Sequence, residues 1–563
     1  MGNTIEKLQS LASGELARAR QELMDNDWAY LDSIEILRHL DAGYVKSISN
    51  QRCTAQEEAY YQSIRFGWMG IMAEYLKHIK PGQAQLTHQS TDEHKEWGRH
   101  ILGWTGDLEI VDRYLTAAKA GLVEVSESAA NVFQLTFTQE IIEKEHYDRQ
   151  SYVFSKQLIA KKNQNAYQRH ITKYKAVKKQ MLAGLRLVEN TFISYNSTPD
   201  VDRYFSQLGY YHLAKERTFE DFGPEDMFGG LAYQTYLNVL QEISAVALKH
   251  LQYCQIAIEK YPKLDLHNIT VYTWHEDRTL TDFADITGLS LNDVRQVFAC
   301  LTLDKDNIAD YEHIKGSDLP PYMKLADHQL TRTTYGVLGG GVDFLKRELK
   351  RRYRSDYDLA VNRREARFRL DLYEYFKGPR FLKAYHEIII KLPDLHTDID
   401  AAIYDTKTGT LGLFQLKWQD MFYTSLQERR SRISNVYVSA EGWVKKMQRW
   451  LQQTTGPDVA KKLKFDTGQA GYNNVYLFVI ARNQIHYTGL EPEPLAAWAS
   501  WYQLIESYVR YPVKTNDPVK DLYEQLKMGL PSNRVKHEGY PTGPSHGIKF
   551  KSFQFNFYDE ADT

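Results

Sequence analysis

Cysteine is scarce: 563 residues hold three, Cys53, Cys254 and Cys300, far apart in sequence. That spacing excludes a disulfide framework and a zinc knuckle, and it points to a reducing compartment. No apolar run approaches the roughly 18 residues that a membrane-spanning helix needs. Excess charge of one sign is lacking too, since the sum is −2. A near-neutral sum names no partner and can still hide local basic faces. The opening MGNTIEKLQS has no apolar signal-peptide core, and Glu6 stands where a myristoylation motif wants Ser or Thr. No Walker Lys-Ser/Thr pair follows GVLGGG (336–341), which argues against ATP hydrolysis and leaves a flexible hinge as the reading. Internal repeats and low-complexity tracts are absent, and no Ser/His/Asp or Cys/His arrangement can be argued. His88 and His94, in THQSTDEH, lack a metal-ligand context and read as surface residues. A cytoplasmic protein without a membrane partner is expected.

What is present suits several buried cores: 43% of residues are hydrophobic and 25% charged. On a prior of about 150 residues per domain the length allows three to four domains. Helical periodicity dominates to about residue 260, as in YYQSIRFGWMGIMAEYLKHI (60–79). GDLEIVDRYLTAAKAGLVEV (106–125) reads as a helix running into a strand, and VFQLTFT (132–138) alternates like its partner. A winged helix and a helical domain with a small hairpin both fit. The turn formers of 306–330, with Pro320-Pro321, suggest a boundary. The expected division is a helical domain over 1–165, a second over 166–330, and an α/β domain over 331–563. That last domain would hold a mixed central sheet flanked by helices.

Chemistry concentrates at 386–420. HEIIIKLP (386–393) is β-rich, and TDIDAAIYD (397–405) alternates, with Asp398, Asp400 and Ala402 on one face. Thr406-Lys407-Thr408-Gly409 supplies a turn. GLFQLKWQD (412–420) follows, with Phe414, Leu416 and Trp418 on one face and Gln415, Lys417 and Gln419 on the other. Asp400 offers an oxygen ligand to a hard cation such as Mg²⁺, with Asp398 beside it. Gln415 and the Leu416 carbonyl add neutral oxygens. Lys417 could orient a water or stabilise phosphate charge. A metal plus a lysine is what in-line attack on a phosphodiester needs.

An Asp on one strand, then Glu or Gln, any residue and Lys on the next, resembles the signature of the PD-(D/E)xK nuclease superfamily. Here the resemblance rests on Asp400 in DIDAAIYD and on Gln415-x-Lys417 in FQLKW, and it spans about residues 340–485. It implies a restriction-endonuclease-like fold and a Mg²⁺ (or Mn²⁺) site. A helix before the first strand would contribute a Glu, with Glu365 the best match and Glu374 second. SAEGWVKKMQRWLQQ (439–453) fits the family's following helix, and VYLFVIA (475–481) its next buried strand. Gln415 departs from the commoner Glu and removes one negative charge from the site. The alternative is a hairpin whose exposed face carries Asp, Gln and Lys.

Basic stretches flank this region. KRELKRRYR (346–354), including Arg351 and Arg352, is followed by Arg363, Arg364, Arg367 and Arg369, and later by Arg429, Arg430 and Arg432. They read as phosphate contacts or as solvated helix faces. TLTDFADITGLSLNDVRQVFACL (279–301) resembles a helix-turn-helix, with Ala284, Gly288 and Val294 at the motif's spacing and Ser290 as a cap. Asn292, Arg295 and Gln296 would face base edges or phosphates. The expectation is a Mg²⁺-dependent endodeoxyribonuclease acting on duplex DNA in restriction or anti-phage defence. A second copy of the chain or a companion defence protein would be its protein partner. The alternatives are a non-catalytic DNA-binding protein with an inactive nuclease-like domain, and a nuclease for RNA or branched DNA.

Overall fold

The structure is a computed structural model. It describes the chain except residues 1, 26–28, 49–53, 80–87, 120, 122, 138–147, 149, 156–163, 218–221, 313–318, 387, 394, 419–429, 467–470, 488–489, 511–514, 529–546 and 559–563. The chain is a mixed α/β protein with several small sheets and, among the described residues, no closed barrel. None of the described helices is long and apolar enough to cross a membrane. Two compact units divide it. The first comprises Met1–Phe137, Ala160–Asp358 and Pro541–Thr563, and the second Thr138–Ile159 and Leu359–Tyr540.

In the first unit, helices Gly2–Met24, Ala29–Ile48, Ala55–Lys77 and Asp92–Lys119 pack around Leu37, Trp68 and Met72. The last leads into strands β1 (Val123–Ala129) and β2 (Val132–Phe137), an antiparallel hairpin. Strand Gln554–Tyr558, from the far end of the chain, adds in parallel to β2, and Phe133, Leu135 and Phe555 close the core beneath. Helix Tyr174–Gly184 precedes a second hairpin of β3 (Leu185–Val188) and β4 (Phe192–Tyr195). After the short pair β5 (Met227–Phe228) and β6 (Leu231–Ala232) comes the helix Tyr233–Lys260. It buries Tyr236, Leu240, Ile243, Ala247, Leu251 and Cys254, the three-to-four spacing of one apolar stripe.

Strand β7 (Tyr272–His275) then opens a four-stranded sheet with β8 (Thr302–Leu303), β9 (Tyr322–Ala326) and β10 (Gln329–Arg332), in the order β7-β10-β9-β8. Between β7 and β8 lie helices Glu276–Thr287 and Leu291–Ala299. Gly288 ends the first in the left-handed region (φ 69°), and the Ser290 hydroxyl caps the second by accepting from Asp293 N–H. The turn-rich stretch around Pro320-Pro321 thus leads into the β9–β10 hairpin, and the first unit runs on to Asp358.

GVLGGG corrects the hinge expectation, for it lies inside the helix Thr334–Arg352. Thr333 caps this helix through Gly336 N–H, and the buried Asp41 carboxylate accepts from Thr334 and Tyr335 N–H, each at 2.8 Å. The glycines serve close packing. A Cβ at Gly336 would stand 2.0 Å from the Pro320 carbonyl oxygen, and one at Gly341 would touch Leu240.

In the second unit, β11 (Phe381–Lys383), β14 (Ala401–Asp405), β15 (Thr410–Lys417), β16 (Asn474–Ala481) and β17 (Ala496–Ser500) form one sheet in that spatial order. β12 (Ile388–Leu392) and β13 (Leu395–Ile399) form a separate hairpin. β14 is antiparallel to β15, whereas β15, β16 and β17 run parallel. Helix Ser439–Gln453 covers one face, setting Trp443, Val444 and Met447 against Leu413 and Val479. On the other face Phe414 stacks on Phe478 at 4.4 Å, and Val519 of helix Pro518–Met528 approaches Gly412. Being covered on both sides, β15 is almost wholly buried, as strands in parallel sheets are.

The glycines allow a direct check by denaturant unfolding. Gly14, exposed in helix Gly2–Met24 with open space where a Cβ would go, should gain about 1 kcal/mol as alanine through helix propensity. Gly336→Ala should instead lose roughly 1–3 kcal/mol through overpacking against Pro320. A gain at both positions would mean that the 336–341 segment is not packed as described.

Candidate functional site

The hairpin of β14 and β15 brings part of the sequence-predicted set together, Asp400 with Gln415 and Leu416. Its turn is closed by Asp405, whose buried carboxylate accepts from Lys407 N–H at 3.0 Å, Thr408 Oγ1 at 2.9 Å and Arg380 Nε at 2.6 Å. Burial pushes that carboxyl up, but these hydrogen bonds and the Arg380 charge outweigh it and hold it below the usual range. Gly409 takes φ 67° in the turn, a conformation that suits glycine. The register then sets Ala401 opposite Phe414, and Asp400 N–H donates to the Phe414 carbonyl at 3.2 Å.

Asp400 therefore lies at a bend between β13 and β14, level with Gln415. Both side chains are buried, at 6% and 3% exposure. Gln415 Nε2 donates to Asp400 Oδ2, and Leu416 N–H donates to the same oxygen at 2.7 Å. With its nitrogen on Asp400, the Gln415 amide keeps its carbonyl oxygen for a cation or a water. The N–H and C=O of a strand residue leave on the same side, so the Leu416 carbonyl emerges toward Asp400 as well. Lys417 shares the Gln415 face and is half-buried. Among the described residues its ammonium makes no hydrogen bond and no ion pair.

Helix Arg354–Tyr373 backs this bend. The Tyr373 hydroxyl donates to the Ala384 carbonyl and accepts from Ala402 N–H at 3.3 Å, which pins the helix to β14. Arg369 Nε donates to the main-chain carbonyl of Asp400. Glu365 belongs to this helix, one turn before Arg369, where residues four apart share a face. Its side chain lies outside the described residues. Glu374 is exposed beyond the helix end, 3.3 Å from Lys377. Asp398 stands on β13, in the separate hairpin, and Trp443 Nε1 donates to its main-chain carbonyl at 2.6 Å. The bend at Asp400 interrupts the alternation that would have run from 398 to 402.

Beside Lys417 lies a cluster of arginines and rings that periodicity did not reveal. Arg482 N–H donates to the Lys417 carbonyl at 2.7 Å, and its guanidinium lies 4.5 Å from the Trp418 ring and 5.3 Å from that of Trp501. Arg482 also meets Asp371 at 3.0 Å. Arg364, expected on an exposed basic face, is 2% exposed and sits 5.8 Å from Trp418. An arginine run leaves no signal of which member turns inward.

The expected nucleic-acid contacts divide. Arg351 and Arg352, both exposed, each place Nε 2.8 Å from the buried Glu348 carboxylate, two cations sharing one anion. Gln296 Nε2 donates to the Gly229 carbonyl and the Tyr236 hydroxyl, both at 2.9 Å, and so braces the second helix of the pair. Asn292 and Arg295 are exposed on that helix, and Arg430 is exposed as well. Arg429 lies outside the described residues.

A second polar cluster occupies the first unit. Ligating atoms of Glu35, His39 and His267, all buried, lie within 4.8 Å of one another. The Glu35 carboxylate already accepts from Arg38 at 2.8 Å, Ser90 at 2.5 Å, His267 at 2.9 Å and His88 at 3.2 Å. Burial opposes its ionisation, yet His267, His88, Arg38 and Ser90 hold its carboxyl far below the usual range. His88 is thus drawn into the interior, against the surface reading. Four donors account for this carboxylate as an interior tie between helix Ala29–Ile48 and the segment around His267.

No protein-family model matches the chain, and no curated protein or solved structure is significantly similar to it.

The buried histidines give the first unit a pH signature. Burial lowers His39 from 6.5 to about 4 and His250 from 6.5 to about 3. The unfolded chain then binds more protons than the fold below pH 6.5, so each histidine costs roughly 1.4 kcal/mol per pH unit as pH falls toward its folded value. Asp41 and Asp107 act the other way, because burial raises them from 3.8 to about 7 and about 6, so they oppose the two histidines. Removing one histidine shifts that balance by about one proton between pH 6.5 and 4. Relative to wild type, His250→Gln should therefore gain roughly 1.4 kcal/mol per pH unit as pH falls through that range, which thermal unfolding of both proteins would read.

Proposed function

We propose that the second unit is a metal-dependent nuclease of the PD-(D/E)xK kind, that it hydrolyses DNA, and that the chain serves restriction or anti-phage defence. The observation that carries this reading is the meeting of Asp400 and Gln415 across one tight hairpin, beside a Lys417 ammonium with no partner among the described residues. The defence role rests only on the size of the region upstream, by analogy of architecture.

The donor chemistry fits a hard cation. The Asp400 carboxylate, the Gln415 amide oxygen and the Leu416 carbonyl are the oxygen ligands that Mg²⁺ or Mn²⁺ takes, with Glu365 the further carboxylate. Such an ion, when bound, would polarise the scissile phosphate and acidify a water. Lys417 supplies positive charge where the attacked phosphate gains negative charge, and its half-buried position strengthens that interaction relative to open water. Arg369 fixes the bend that presents Asp400. Exposed Asn292 and Arg295 support contact with base edges or phosphates of duplex DNA, and Arg430 supports phosphate contact.

One observation favours a second reading, a nucleic-acid-binding protein that does not cut. The Gln415 amide and Leu416 N–H already satisfy Asp400 Oδ2, a pair that is stable without a metal. Plasmid cleavage with Mg²⁺ or Mn²⁺ separates the two. Under the nuclease reading Lys417→Ala and Asp400→Asn each lower the rate by roughly 10²–10³, as removal of a charge-stabilising group does, with thermal stability preserved for Lys417→Ala. Gln415→Glu should lower the metal concentration needed for half-maximal rate. Cleavage undiminished in Lys417→Ala would sink the site assignment, whereas no cleavage with either metal, together with DNA binding that survives Asp400→Asn and Lys417→Ala, would favour the second reading.

A further inference from the structure

The first unit contains a cavity of about 480 Å³ between its four-stranded sheet and helix Glu276–Thr287. That volume lies within the roughly 300–1,000 Å³ of small-molecule sites. Pairing of β7 with β10 and of β10 with β9 places Tyr272, Arg332 and Tyr322 in one row across the sheet, with Trp274 two residues further along β7. All four line the cavity.

Three features give it a chemical character. Arg332 is 5% exposed, yet among the described residues it forms no ion pair with a carboxylate. Its guanidinium lies 5.2 Å from the Tyr272 ring and interacts with the Tyr322 hydroxyl. The carboxylate whose field it shares, Asp41, is committed to Thr334 and Tyr335 N–H. A buried charge without a matching counter-charge is costly, and an anion in the cavity would relieve that cost.

The second feature is aromatic. Tyr272 and Trp274 stack at 5.8 Å with planes 21° apart and remain 37% and 42% exposed. An exposed tryptophan and tyrosine at a cavity wall offer a π-face to a planar group. The third is the rim. Asp282 and Asp285, exposed on the helix, accept hydrogen bonds from hydroxyl or amino groups. Arg278, 5.9 Å from the Trp274 ring, adds positive charge beside the aromatic wall.

We infer that this cavity binds a nucleoside monophosphate, with the base on Tyr272 and Trp274, the phosphate on Arg332 and Arg278, and ribose hydroxyls on Asp282 or Asp285. A planar ring, an anion and hydroxyl donors in one small molecule match the three features together, whereas a simple aromatic acid leaves the acidic rim unused. The site belongs to the first unit and does not depend on the nuclease reading.

Calorimetric titration of the full chain with AMP, GMP, CMP and UMP tests it, with adenosine and inorganic phosphate in parallel. At least one nucleotide should bind at micromolar to low-millimolar concentration, and adenosine and phosphate alone should bind at least tenfold more weakly. Trp274→Ala, at an exposed position that need not disturb folding, should weaken binding by roughly tenfold, while Trp274→Phe keeps a ring and most of the affinity. Arg332→Gln should abolish the advantage of nucleotide over nucleoside, with its thermal midpoint recorded alongside. No binding by any of the four at millimolar concentration would overturn the proposal. So would binding unchanged in Trp274→Ala, or binding of a single-stranded oligonucleotide without any mononucleotide.

Discussion

Asp405 closes the turn between β14 and β15 by taking hydrogen bonds from Lys407, Thr408 and Arg380, and the pairing above that turn follows from it. A strand alternates faces at every residue, so a slip of one position would send Gln415 and Lys417 to the side occupied by Phe414 and Leu416. Both faces of this sheet are covered, and burial of Leu411 and Leu413 on one side and Phe414 on the other resists such a slip. The Asp400–Gln415 contact therefore rests on a turn carboxylate five residues further along the chain. Tyr373 and Arg369 then hold the bend from the helix behind it.

Buried carboxylates play the same organising role elsewhere. Glu35 accepts from residues that lie 3, 53, 55 and 232 positions away. Asp41 caps a helix whose first residue is nearly 300 positions distant. Asp148 takes the Ile485 and His486 N–H groups at 3.0 Å, and so fastens a short N-terminal segment of the second unit to the loop after β16. In each case a carboxyl group taken out of water is matched by two or more donors, the condition under which its burial is tolerated. Arg332 stands apart from this pattern, and so does Lys417. Each brings positive charge to its site without a carboxylate partner among the described residues, and each is the residue on which a proposed anion contact depends.

The glycine run at 336–341 and the arginine run at 346–369 share a lesson about local pattern. Glycine is permissive, so a cluster suggests a hinge, but it also removes Cβ atoms where a helix must approach Pro320 and Leu240. Arginines at 351, 352 and 364 look alike in the sequence, yet the first two stay exposed beside Glu348 while Arg364 is buried against Trp418. The composition is the same in either case, and only the neighbours differ.

Periodicity made much of the local structure legible. The helix at 60–79, the helix and hairpin at 106–138, the capped helix pair at 279–301 and the two strands around Thr406–Gly409 all follow from spacing, caps and turn residues within a few positions. The same alternation put Gln415 and Lys417 on one face. Tertiary structure decided the partners. Spacing could not foresee that β2 pairs with a strand more than 400 residues later, that TDIDAAIYD breaks at Asp400 into two sheets, or that Gln296 turns inward. Nor could it bring Tyr272, Arg332 and Tyr322 into one row from three separate strands. A local pattern specifies which face a residue occupies, because that depends on backbone geometry alone. Which group meets it there depends on long-range burial and pairing, whose loop-closure cost grows only slowly with separation and so leaves distant partners open.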